Sequence, residues 1–254
     1  LHVKEKDSFW LSMSFLNLQM KNQILALAGG VGGAKLALGL YKTLYPNQLT
    51  IVVNTGDDEE FHGLKVSPDL DTVMYTLAGI YNNTSGWGLQ DETFNTLRML
   101  ETYGVATWFN LGDKDLATHI ERTRLIRNGW TLSEVTSQLC KQLGVHPVIV
   151  PMSDNSVRTI AKTNKGNLTF QEYFVKYQCK PTIKGLEFKG AGQAKISPEF
   201  MKSLNTADAV ILCPSNPLLS LAPILSVTGV RKLLENFSGP RIAVSPIVAG
   251  KAIK

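Results

Sequence analysis

The chain is poor in cysteine: its 254 residues carry three, at positions 140, 179 and 213. Their odd number and wide spacing, with no Cys-x-x-Cys, exclude a disulfide framework and argue against a structural zinc site. A reducing, cytoplasmic setting is the expectation that follows. No apolar run approaches the roughly 18 residues of a membrane-spanning helix. The net charge of +5 is not gathered into a basic run, so no nucleic-acid-binding stripe is indicated. A mild positive excess suits an anionic small substrate. Internal repeats and low-complexity segments are lacking as well. What remains is a chain 44% hydrophobic, long enough for one large α/β domain with or without a small insert.

The first twenty residues differ from the rest. They mix Lys4, Glu5, Lys6 and Asp7 with Phe9, Trp10, Phe15 and Leu16. They read as a poorly ordered extension over 1–20, with Met20 as the functional start and a weak signal peptide as the alternative. Residues 21–254 read as a single domain. Ile24 to Ala28 is a buried-type strand that runs into Gly29-Gly30-Val31-Gly32-Gly33. A helix is expected over Ala34 to Tyr45, with Leu36, Leu40 and Leu44 on one stripe, then a strand over Leu49 to Asn54. This opening predicts a Rossmann-like, doubly wound, mostly parallel sheet. Further helices are expected over Asp71–Gly79 (Asp71 as N-cap), Asp91–Thr102, Asp115–Asn128 and Leu132–Leu143. Strands are expected at Val148–Val150, Ala209–Cys213 and Arg241–Ser245. Short β-rich runs at Arg158–Thr163, Leu168–Phe170 and Glu172–Tyr177 predict a small α+β insert over about residues 155–205.

Five constellations carry chemistry. Glycines 29, 30, 32 and 33 follow a strand and precede a helix, a pattern that lets the backbone approach a phosphate. Neither the dinucleotide fingerprint nor the ATP-binding loop is complete: Lys35 stands where a third glycine belongs, and Asn54 ends the second strand in place of an acid. A tight turn made for packing is the other reading. Asp57 and Asp58 form an adjacent acid pair past that strand, suited to a hard divalent cation such as Mg²⁺. Asp69 and Asp71 add two more carboxylates. Asp115, His119 and Arg122 share one helix face, suited to charge relay or anion binding, with Leu116 and Ile120 expected on the buried stripe; a surface salt-bridge ladder is the alternative. Pro214 and Pro217 hold Ser215 and Asn216 rigidly after another strand. Met152-Ser153-Asp154 sits in a like position. Trp87, between two glycines, could stack on a flat ring or simply pack.

These motifs occur in an order that resembles one family. Gly-Gly-Val-Gly-Gly-Ala-Lys (29–35), Asn-Thr-Gly-Asp-Asp (54–58), His-Gly-Leu (62–64), Pro-Asp-Leu-Asp-Thr-Val-Met-Tyr-Thr-Leu (68–77), Gly-Trp-Gly (86–88), Leu-Gly-Asp-Lys-Asp-Leu-Ala-Thr-His (111–119), Pro-Met-Ser-Asp (151–154), Pro-Ser-Asn-Pro (214–217) and Val-Ser-Pro-Ile (244–247) together resemble the 2-phospho-L-lactate transferase (CofD) family of coenzyme F-420 biosynthesis. The resemblance implies Mg²⁺ dependence and two substrates: the deazaflavin Fo, and a guanosine diphospho-donor carrying lactate or enolpyruvate, from which GMP leaves. The Gly-Gly-Val-Gly-Gly form points toward the enolpyruvyl donor. Asp71 maps to a contact with Fo, and Asn110 stands where the family often has a basic Fo contact. Trp87 and Met152 complete the expected deazaflavin site. Asp57, Asp58, Asp71 and His119 are the expected catalytic groups, and Asp57, Asp58, Asp69 and Asp71 the metal ligands. The glycine turn, Lys35, Arg122, Ser215 and Asn216 are expected at the donor. A homodimer is allowed for, and the family pattern implies a C-terminal tail beyond Lys254. Two rivals stay open. One is a nucleotide-sugar-binding regulatory protein of the gluconeogenesis-factor type. The other is a nicotinamide oxidoreductase, against which Lys35 and Asn54 count.

Overall fold

The computed structural model describes residues 22–252. The extension expected over 1–20 lies outside the described residues. Along the chain come β1 (Ile24–Ala28), α1 (Gly30–Thr43), β2 (Leu49–Val53), β3 (Glu59–Phe61), β4 (Leu64–Val66), α2 (Pro68–Ala78), α3 (Asn95–Thr102), α4 (Asp113–Arg127), α5 (Leu132–Gln142) and β5 (Val148–Pro151). Then follow β6 (Arg158–Thr163), β7 (Gly166–Thr169), β8 (Ile183–Lys189), α6 (Pro198–Thr206), β9 (Ala209–Leu212), α7 (Ala222–Ser226), α8 (Val230–Glu235), β10 (Arg241–Ala243), β11 (Ile247–Val248) and β12 (Lys251–Ala252).

The central sheet has five strands in the order β10-β9-β1-β2-β5, every pair parallel. Read from β5 and numbered by chain order, that is 3-2-1-4-5, the order of dinucleotide-binding sheets. Its crossover direction reverses between β1 and β9, which opens a crevice at their carboxyl ends. The expected α/β doubly wound fold is therefore present. Successive residues of β1 face opposite sides. Leu25 and Leu27 pack with Phe200, Leu204, Ile224 and Val230 on one face. Ala26 and Ala28 pack with Ala34, Ala37, Leu70 and Met74 on the other. Both faces are covered, which is why β1 and β2 read as unbroken apolar runs. None of the helices is long and apolar enough to cross a membrane, among the described residues.

Several boundaries differ from expectation. α1 starts at Gly30, inside the glycine run, not at Ala34. α2 starts at Pro68, whose missing N–H costs nothing at a first helical position. Asp71 is therefore inside the helix and not its N-cap; Ser67 holds that place. α3 starts at Asn95, because Asp91 has a left-handed φ of 52°. The β3–β4 hairpin, with His62 and Gly63 both at positive φ, was not anticipated. In the insert, β7-β6-β8 form an antiparallel sheet, but Glu172–Lys176 is a π-helical turn, not a β-run. The antiparallel unit ends at Lys189. α6 belongs to the main body, because Phe200 and Leu204 are buried in its core.

Candidate functional site

The carboxyl ends of β1, β2, β5 and β9 converge on the crevice. Gly29 ends β1. Its N–H donates to Ser215 Oγ at 3.0 Å, and the Ser215 hydroxyl donates back to Gly29 O at 2.8 Å. Ser215 thus ties the loop after β9 to the turn after β1, and it is buried with its hydroxyl committed. The glycines make this approach feasible. A Cβ on Gly32 would collide with Pro214 O, and one on Gly33 would lie 2.6 Å from Ser215 Oγ and 3.0 Å from Ala28 Cβ. Gly30 adopts φ +59°, which favours glycine. The packing reading therefore holds for Gly32 and Gly33. The anion reading narrows to the first turn of α1, whose N–H groups have no acceptor within the helix. One of the expected cradle donors is already spoken for, the Gly29 N–H by Ser215, and the Asp69 carboxylate lies close against Gly29 and Gly30.

Asn54, at the end of β2, organises the acids. Its Nδ2 donates to Asp57 Oδ1 at 2.8 Å and to Asp69 Oδ2 at 3.0 Å, while its Oδ1 accepts the Gly56 N–H at 2.8 Å. An amide at this position joins two carboxylates that a strand-end acid would repel. Asp58 Oδ2 accepts from Ser67 at 2.8 Å, and Asp58 Oδ1, though buried, has no partner. Asp57, Asp58 and Asp69 are 6%, 7% and 7% exposed. Burial, with the neighbouring Asp69 and Asp58 charges, pushes Asp57 well above the usual carboxylate range. Burial pushes Asp58 up to about 7 and Asp69 up to about 6. The three carboxylates are desolvated and one of their oxygens is unsatisfied, but they do not converge as a set of three on one ion.

Asp71 lies apart from this group in its bonding. Both its oxygens are taken by the Arg122 guanidinium, Nη1 at 3.1 Å and Nη2 more closely. Arginine can only donate, so the contact between Arg122 Nη1 and His119 Nδ1, 3.2 Å apart, is a hydrogen bond in the tautomer that leaves Nδ1 unprotonated. Nε2 lies 3.2 Å from Asp115 Oδ2, and Tyr75 OH donates to Asp115 Oδ1 at 2.7 Å. Although burial opposes it, Asp115 stays below its ordinary carboxylate value through His119 and Tyr75. The expected alignment of Asp115, His119 and Arg122 on one face is present, and that face is the buried one. Ile120, expected inside, is 54% exposed, while His119 and Arg122 are 1% and 2% exposed. α4 turns its polar face inward because Asp71 of α2 supplies the counter-charge. Among the described residues, Asp71, Asp115 and His119 form the group whose atoms come close enough to share one ion. Arg122 already neutralises that group, while Asn54 ties Asp57 to Asp69 and Ser67 holds Asp58, so the four expected ligands do not form one set.

Other expected site residues fall as follows. Met152 is fully buried in the main core, so its side chain cannot meet a deazaflavin. Arg122 is equally sealed and cannot meet a donor phosphate. Asn216 is exposed, with its Oδ1 capping the Leu218 and Leu219 N–H groups at 3.0 Å each. Lys35 is exposed on the second turn of α1. Trp87 is 45% exposed on a loop whose Gly86 packs on Val31 of α1. Asn110 is exposed beside Phe109, which stacks on Phe61 of the hairpin at 4.0 Å. Within the 111–119 motif, Asp113 caps α3 through the Asn95 and Thr96 N–H groups, and Glu92 caps α4 through those of Lys114 and Asp115. Gly112 leaves room for Glu92.

Sequence reasoning missed three contributors: Asn54 as clamp, Ser67 on Asp58, and Arg158. Arg158 opens β6, donates to Val157 O at 2.8 Å and reaches Thr55 O at 3.5 Å. Thr159 N–H donates to Gly56 O at 2.6 Å, and Gln171 Nε2 to Asp57 O at 2.9 Å. The insert thus grips the acid loop from the far side.

Comparison with known proteins bears on this site. The family model described as 2-phospho-L-lactate transferase CofD matches residues 24–253. A phosphoenolpyruvate transferase from Mycolicibacterium smegmatis is 41% identical over 248 residues, covering 91% of this chain and 76% of its own. One from Streptomyces griseus is 42% identical over 237 residues, covering 91% and 74%. Among solved structures, a upf0052-family protein from Bacillus halodurans is similar with a TM-score of 0.64 at 19% identity, over 88% of this chain and 68% of that one. That last likeness concerns the fold alone.

Proposed function

The chain belongs to the 2-phospho-L-lactate transferase (CofD) family, and from that premise we propose that it moves a phosphoenolpyruvyl or phospholactyl group from a guanosine diphospho-donor to the deazaflavin Fo. It is a transferase of the coenzyme F-420 pathway, and its relatives named phosphoenolpyruvate transferase favour the enolpyruvyl donor. In the reaction, the terminal ribityl hydroxyl of Fo attacks the phosphorus that bears the three-carbon acid. The new P–O bond forms as the bond to the GMP oxygen breaks, and GMP leaves.

The observation that carries this reading is the group of buried carboxylates beside the first turn of α1, with Asp58 Oδ1 unpartnered. A fixed carboxylate at a helix N-terminus repels a phosphate unless a cation lies between them. Asp57 and Asp69, joined by Asn54, would hold Mg²⁺ there. Mg²⁺, when bound, supplies charge neutralisation at the phosphoryl oxygens. The N–H groups of residues 31–33 orient the diphosphate. Asp58, fixed through Oδ2 by Ser67, takes the hydroxyl proton on its unpartnered Oδ1. The Asp71–Arg122 pair stiffens the floor between α2 and α4 and so helps place the acceptor.

Incubation with Fo, donor and Mg²⁺ tests the reading. GMP and a charged deazaflavin product should appear in equal amounts. The Asp58→Asn variant should lose at least about 10²-fold in kcat. GMP release that does not require Fo, or an absence of product, overturns it.

A further inference from the structure

The loop between α2 and α3 holds a tryptophan in solvent beside the first turn of α1. Tyr81 and Leu89 pair across its base in an antiparallel bridge, and both pack on the core. Within the loop the Asn82 N–H donates to Gly88 O at 3.0 Å, and the Gly86 N–H to Asn82 O at 2.8 Å. Asn82 Oδ1 accepts from the Thr84 and Ser85 N–H groups at 2.9 and 3.2 Å, and the Ser85 hydroxyl donates to Trp87 O at 2.7 Å. Gly86 and Gly88, at φ +77° and +70°, turn the chain on both sides of Trp87. Backbone and short side chains thus fix the loop, while the Trp87 ring stays 45% exposed. The loop's place is equally fixed. A Cβ on Gly86 would lie 2.8 Å from Val31 Cγ1 and 3.3 Å from Cγ2. Val31 is the second residue of α1, so the backbone next to Trp87 rests on the turn whose N–H groups are open to an anion.

Phosphoryl transfer proceeds in line, with the attacking and leaving oxygens on opposite sides of the phosphorus. The acceptor therefore approaches from the side away from GMP. A flat ring close to the diphosphate-binding turn is then the donor's base, which a single ribose separates from the phosphates, and not the deazaflavin, which enters beyond the transferred group. Resting on the transferase reading, we propose that Trp87 stacks on the guanine of the donor and holds the nucleoside end while the first turn of α1 holds the phosphates. The stack gives affinity for a nucleotide over a bare diphosphate, because a base offers an indole its π-face. Trp87 then belongs to the donor and not to the deazaflavin site expected for it.

Calorimetric titration in Mg²⁺ with three probes tests this: guanosine diphosphate, inorganic pyrophosphate, which lacks the base, and Fo. Trp87→Ala should weaken guanosine diphosphate about 10–100-fold and leave pyrophosphate and Fo within about twofold. Trp87→Phe, which keeps an aromatic face, should recover most of the loss. Indole fluorescence gives a second reading that survives if Trp87→Ala melts early. Guanosine diphosphate should quench the emission of wild type, pyrophosphate should not, and Trp87→Phe should abolish the quench. Equal weakening of guanosine diphosphate and pyrophosphate, weakening of Fo, or no change in any probe overturns the proposal. Wild-type protein that binds neither guanosine diphosphate nor Fo overturns the transferase reading itself.

Discussion

Asp58→Asn should make the metal-free protein more stable at neutral pH. Asp58 is raised from an ordinary 3.8 to about 7, chiefly by burial. Below about pH 4 the carboxyl is neutral in both folded and unfolded chains and contributes no difference. As the pH rises from 4 to 7 the unfolded chain ionises first, while the folded chain keeps its proton. Stability carried by the protonated form is therefore lost, at about 1.4 kcal/mol per pH unit from this group, and the loss levels off above 7. The whole interval corresponds to about 4 kcal/mol for a rigid loop, or about 2–4 kcal/mol once the loop relaxes. Asparagine mimics the neutral form at every pH. In EDTA the variant should match wild type near pH 4 and melt about 5–15 °C higher at pH 8. The difference between the two proteins cancels the titration of groups elsewhere. Excess Mg²⁺ at pH 8 should stabilise wild type and variant alike, since both keep Asp57 and Asp69, and do little at pH 5, where protons compete for those oxygens. Thermal melts at pH 4, 5, 6, 7 and 8, with EDTA or Mg²⁺, give the result. A pH-independent difference, or wild type unmoved by Mg²⁺, refutes the acid-basin account.

Arg122→Ala should cost about 3–5 kcal/mol in urea unfolding, because it strands the buried Asp71 carboxylate. Joint replacement by Arg122→Met and Asp71→Leu should recover much of that loss; an additive loss would show that the pair is not coupled. Gly32→Ala should prevent normal folding, since its Cβ meets Pro214 O, and circular dichroism would show it. Gly39→Ala, helical with nothing within 4 Å, should gain about 1 kcal/mol, and a loss there would mean α1 is not a regular helix in solution.

The site was legible in its parts and not in its assembly. The acids at 57, 58, 69 and 71 were visible because carboxylates at strand and helix ends invite a cation. Their division into acids held by Asn54 and Ser67 and a pair with Arg122 was not, because it depends on α4 packing against α2. For the same reason the buried stripe of α4 was misjudged: apolar Ile120 looked like core, yet a buried arginine with a partner displaced it to the surface. Ser215 looked like a ligand contact because rigid polar groups at a sheet edge often are. Its hydroxyl proved to be the clasp between two turns. Arg158 gave no local signal, since it meets the acid loop only when the insert folds back across 103 residues onto Thr55.

By itself the amino-acid sequence determined the alternation of apolar strands and helices, and with it the parallel sheet, since unbroken runs such as Leu25–Ala28 can be satisfied only where both faces are covered. It also determined that a glycine turn and several acids lie at the carboxyl edge of that sheet. Only the tertiary structure decided that the Gly29 amide is already bonded to Ser215, which carboxylates are desolvated, and which guanidinium is sealed against an acid. Those outcomes turn on burial and close approach between segments far apart in the chain, and local patterns of residues do not encode such distances.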